Sequence, residues 1–92
     1  MINLLPEMFE YCNIIFSYLD DLFQWDIEEK RGTYWLTVTR TIVKYRFMYS
    51  PVDYDDFGTY AKDRLFNDMM LDIGIVLKAC KAEYDKRLNK DK

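Results

Sequence analysis

Between residues 5 and 23, apolar side chains recur at steps of three and four: Leu5, Met8, Phe9, Cys12, Ile15, Phe16, Leu19, Leu22 and Phe23. That period places them on one face of an α-helix and predicts an amphipathic helix over 5–23. Pro6 falls in the first turn, where its missing N–H leaves no bond unmade. A second stripe, Tyr11, Ile14, Tyr18 and Trp25, runs beside the first. Together the two are wider than the core of a small domain requires.

The pattern then changes period. Trp25 and Ile27 alternate with polar residues, "EEKRG" forms a polar turn, and Leu36-Thr37-Val38-Thr39 and Val43-Lys44-Tyr45-Arg46-Phe47 alternate again. Alternation in Val, Ile, Thr, Tyr and Trp predicts strands. The phase slips between Arg40 and Val43, which predicts a bulge or bend there. A rival helix runs through Trp35, Val38, Ile42, Tyr45 and Tyr49. The threonines at 33, 37, 39 and 41 favour the strand, because a β-branched side chain loses χ1 freedom in a helix.

Residues 50–60, SPVDYDDFGTY, have the D-x-D-x-x-G spacing of a calcium loop: Asp53, Asp55 and Gly58. The rest of that loop is missing. Position five is Phe57, and position twelve, where a bidentate Glu belongs, is Arg64. Backbone chemistry accounts for the stretch better. Ser50 is a good N-cap, Pro51 a good first helical residue and Asp53 a first-turn acid. These predict a short helical turn over 51–57, ended by Gly58, with Thr59 capping the next helix.

That last helix is long. Leu65, Phe66, Met69, Met70, Ile73, Val76, Leu77, Cys80, Tyr84 and Leu88 form one stripe and predict a helix over 60–88, with 89–92 as a frayed tail. Gly74, in its middle, is expected to allow close packing against the first helix. The order is that of one compact α+β domain over 1–92: N-terminal helix, β-hairpin or short meander, short helical turn, long C-terminal helix. The alternative is an all-α bundle with the central segment helical.

Composition narrows the function. Two Trp, eight Tyr and six Phe are many for 92 residues. A small interior cannot take them all, and aromatic excess at a surface suits a partner. The net charge is −3 but comes in blocks. Residues 1–29 hold seven acids and no base, 30–46 five bases and no acid, 47–72 six acids and two bases, and 73–92 six bases and three acids. Such blocks either pair within the fold or form faces of opposite sign. Arg40, Lys44 and Arg46 share strand parity, so 40–46 is a candidate strip for nucleic acid. The acidic flanks weaken it, and the expected partner for these bases is a carboxylate of the chain itself, such as Asp20, Asp21 or Asp26.

Much catalytic chemistry is missing. There is no histidine, hence no common general base, metal ligand or near-neutral switch. Ser17 and Ser50 lack an activating motif, and Gly32, Gly58 and Gly74 are too scattered for a phosphate loop. Asp68 and Asp72, one turn apart, read as a solvated helix face rather than as a metal pair. Cys12 and Cys80 fall on apolar faces and are expected to remain free thiols. No cofactor is expected and no membrane span; the N-terminus lacks the basic segment of a signal peptide, and the expected location is the cytosol.

These observations predict a non-enzymatic protein-binding module that acts on a larger protein as an inhibitor or modulator. The expected contacts are Tyr11, Ile14 and Tyr18 on the first helix and Tyr54, Asp55, Asp56 and Tyr60 on the acidic connection. Aromatic groups would supply the buried centre, and carboxylates the register and on-rate. Self-association into a homodimer is the alternative use of the first stripe of that helix. An acidic mimic of nucleic acid is the alternative function, and direct nucleic-acid binding through 40–46 a further one. A short chain without His, rich in Tyr, Lys and Asp, is similar in kind to small phage or mobile-element proteins that block host or defence machinery. That likeness implies action in the cytosol of a host cell.

Overall fold

The computed structural model describes residues 3–19 and 22–90, with side chains through residue 81. The order is α1 (Leu5–Phe16), β1 (Phe23–Lys30), β2 (Thr33–Arg40), β3 (Val43–Tyr49), a 3-10 segment (Pro51–Tyr60) and α2 (Ala61–Lys90). The strands form an antiparallel meander in the order β1-β2-β3. The class is α+β, and the all-α alternative fails at the central segment. Asp20 and Asp21 lie outside the described residues, as do the side chains of Tyr84 and Leu88. α2 runs through Lys90, and residues 91–92 of the expected tail lie outside the described residues.

Local chemistry sets the boundaries. The Asn3 side chain accepts the Leu5 amide at 3.1 Å and also the Tyr34 hydroxyl at 3.3 Å, tying the start of α1 to β2. At the other end the Ser17 hydroxyl takes the Ile14 carbonyl at 2.6 Å. α1 therefore stops at Phe16, well short of the expected residue 23. The reason is tertiary. Phe23 also belongs to a period-two series with Trp25 and Ile27, and as a strand that series faces back onto the helix. The Phe16 ring lies 6.4 Å from Phe23 and 6.2 Å from Trp25, and Phe9 lies 5.8 Å from Trp25.

Both hairpins turn through two residues. Lys30 pairs with Thr33 across Arg31 and Gly32, at φ 53° and 76°. Two positive φ values make a type I′ turn, matched to the twist of the strands. Arg40 pairs with Val43 across Thr41 and Ile42. The expected bulge is thus a second tight turn, and a β-branched Thr41 holds φ 59° in it.

Alternation then sorts the sheet. Trp25, Ile27, Tyr34, Leu36, Val38, Tyr45, Phe47 and Tyr49 face the helices and belong to or pack on one buried cluster with Leu4, Met8, Cys12, Leu65, Met69 and Val76. The buried stripe of α2 is narrower than expected, because Met70 and Leu77 are exposed. Gly74 has open space where a Cβ would be, so no close helix approach requires it. In the 3-10 segment the expected break does fall at Gly58, whose φ of 55° and ψ of −122° leave the helical region.

Candidate interaction surface

The end of β3, the 3-10 segment and the middle of α2 enclose an open groove of about 440 Å³. Two tyrosines fix its floor. The Tyr49 hydroxyl donates to Asp72 Oδ2 at 2.6 Å, and the Tyr54 hydroxyl to Asp68 Oδ2 at 2.7 Å. Asp68 and Asp72 are one helical turn apart, so both carboxylates face the same way. Arg64 reaches Asp68 Oδ1 with its Nε at 3.6 Å and lies over the Phe57 ring at 5.6 Å.

The two tyrosines are held protonated. Burial, and then the bond to a carboxylate, raise the pKa of Tyr49 far above its ordinary 10.0 and that of Tyr54 likewise. Both remain donors at neutral pH. Burial also pushes the Cys12 thiol up to about 12, which leaves it inert as a nucleophile at neutral pH. Cys12 and Cys80 are free thiols. Among the described residues no cluster of three or more His, Cys, Asp or Glu could hold a metal ion. No described helix is long and apolar enough to cross a membrane.

Apolar side chains complete the groove. Met48 and Leu71 are 60% and 62% exposed, and Phe57 is partly exposed. One turn beyond Leu71, Ile75 is 57% exposed. α2 thus has a second apolar ridge, off its buried stripe, that starts at the groove. Of the extra stripe expected on α1, the fold takes up Tyr11 and Trp25 and leaves Ile14 and Tyr18 exposed.

The expected contact residues divide into two sets. Tyr11 packs on Phe66 at 4.5 Å and donates to the Lys62 carbonyl at 3.3 Å, so it serves the joint between α1 and α2. Beside it Glu7 pairs with Lys62 at 2.9 Å. Tyr54 is buried beneath the groove. Ile14, Tyr18, Asp55, Asp56 and Tyr60 are exposed. Tyr18 lies past the end of α1, whereas Tyr60 is two residues from the carbonyl that holds Tyr11. Sequence reading missed Met48, Phe57, Leu71 and Ile75. Leu71 and Ile75, at i and i+4 but off the main stripe, were the available signal.

The basic strip is divided as well. Lys44 and Arg46 stand on the sheet face turned away from the helices. Arg40, one strand earlier, is on the other face with its guanidinium 4.6 Å from the Phe23 ring centre. The shared parity was counted through a turn, which resets it. No protein-family model, no curated protein and no solved structure matches the chain.

Proposed function

We propose that the protein is a non-catalytic binding module that occupies a surface on a larger protein, as an inhibitor or modulator of the kind phages and mobile elements encode. The observation that carries this reading is the open groove, which sets exposed apolar side chains among carboxylates. Met48, Phe57 and Leu71 offer exposed apolar contact, and Asp53, Asp68 and Asp72 outnumber Arg64 around it. An apolar side chain flanked by Lys or Arg is the complementary ligand, with the apolar part supplying affinity and the charges orientation.

The test is capture from nuclease-treated lysate of the source cell, comparing the wild type with Leu71→Asp. A stoichiometric protein held by the first and lost by the second supports the reading. Equal capture by both removes the groove from it. Asp55 and Asp56, exposed on the same connection, favour mimicry of nucleic acid as a second reading. In that case the captured protein handles nucleic acid, elutes at low salt and is lost on changing Asp55 and Asp56 to Asn.

A further inference from the structure

Among the described residues, the helices cover one face of the sheet and leave the other bare. On that face β1 presents Asp26 and Glu28, β3 presents Lys44 and Arg46, and β2 presents Trp35 and Thr37 between them. The register is specific: Asp26, Thr37 and Arg46 lie in one row across the three strands, and Glu28, Trp35 and Met48 in the next. Asp26 and Arg46 are exposed, and Arg46 reaches diagonally to the neighbouring strand over Trp35, with its guanidinium carbon 4.7 Å from the ring centre. Two strand spacings, about 10 Å, separate the backbones of Asp26 and Arg46 in one chain.

We propose that this face binds a second copy of the chain, as a two-fold dimer with its axis along β2. A rotation of 180° about such an axis lays β1 of one copy over β3 of the other while keeping each row level. Asp26 then faces the copy's Arg46, and Arg46 the copy's Asp26. Trp35 and Thr37 lie on the axis and meet themselves, as an isologous interface requires. An axis across the strands would instead set the β1 acids on one another, so the charge pattern selects one arrangement from two. Packed sheets stand about 10 Å apart with strands about 30° apart, which a tilt of the axis by about 15° provides. Closing the faces takes the Arg46–Trp35 stack out of water, where a cation over an indole is stronger.

The patch is small, about 14 Å by 25 Å from three strands of ordinary spacing. Over both copies that is roughly 700 Å², below a standard specific interface, so the contact is weak and transient, with dissociation on the order of tens of micromolar. It lies on the opposite side of the sheet from the helices and meets the groove at Met48; Leu71→Asp, on α2, leaves Asp26 and Arg46 unchanged.

Sedimentation equilibrium tests it with D26R and R46D, at exposed positions and checked for folding by circular dichroism. The wild type is expected to dimerise reversibly, and each variant to weaken the dimer at least tenfold by setting like charges face to face. A mixture of the two variants in equal amounts is expected to associate, because one then presents only bases and the other only acids at these positions. The combined D26R/R46D chain regains the dimer. A wild type that stays monomeric to about 500 µM, well above the expected dissociation constant, overturns the proposal. So does a dimer that survives either variant, or a mixture that does not associate.

Discussion

The Tyr49 hydroxyl donates a 2.6 Å hydrogen bond to Asp72, joining the last residue of β3 to the middle of α2. It acts with the Tyr54–Asp68 bond at 2.7 Å to hold sheet, 3-10 segment and helix in fixed relation. Removing the hydroxyl with Tyr49→Phe leaves a half-buried carboxylate without its donor. Hydrogen bonds to charged groups are worth about 1.5–3 kcal/mol, and partial exposure of Asp72 favours the lower end. The expected loss is about 1.5 kcal/mol, read from urea unfolding as a lower midpoint at unchanged slope.

The same pair gives stability a defined alkaline limit. The pKa of Tyr49 and that of Tyr54 are raised above the ordinary 10.0. Below pH 10 both are protonated, folded or unfolded, and their contribution is full. Above it the unfolded chain releases protons that the folded chain keeps, so stability falls with pH. Each such group steepens the decline by about 1.4 kcal/mol per pH unit until its folded pKa is reached. Denaturation between pH 9 and 11 is expected to show this loss, less steeply in Tyr49→Phe.

Gly74 interrupts α2 without a steric reason, since nothing lies within 4 Å of a Cβ built there. Glycine inside a helix costs about 1 kcal/mol relative to alanine. Gly74→Ala is therefore expected to raise stability by about that amount and the melting temperature by several degrees. A drop would reveal a close approach to Gly74 that the structure does not contain.

Thr41 holds φ 59° at the first central position of the β2–β3 turn, a place suited to glycine. A β-branched residue there is strained by about 1–2 kcal/mol. Thr41→Gly relieves it but loosens the unfolded chain, which returns part of the gain. The expected net is about 0.5–1 kcal/mol of stabilisation, additive with Gly74→Ala because one change lies in a hairpin turn and the other in the middle of α2. Thermal melts of the two single variants and the double variant check it.

How far the candidate site could be read in advance depends on the range of the signals. Gly58 breaks the 3-10 segment where the local pattern placed a stop, because a glycine takes a positive φ without a Cβ penalty and that preference is local. Tyr54 read as a contact residue, and Asp68 and Asp72 as a solvated face. They are instead donor and acceptors, since which hydroxyl meets which carboxylate depends on how α2 lies against the 3-10 segment. Leu71 and Ile75 were visible as letters but not as a ridge until the buried stripe proved to be the narrower series Leu65, Met69, Ile73 and Val76.

By itself the sequence determined the helix–meander–helix order. Periods of 3.6 and two are local consequences of backbone geometry, and they fixed α1 near Leu5, the strands through Trp25–Ile27 and Leu36–Phe47, and the long helix from about residue 60. Tertiary structure alone decided where α1 gives way to β1, because Phe23 satisfies both periods and only stacking on Phe16 chooses between them. It also turned the slip at Arg40–Val43 into a hairpin, sending Arg40 to one face and Arg46 to the other. That row assignment, which sets Asp26 level with Arg46, follows from strand pairing between residues distant in the chain, and no local pattern contains it.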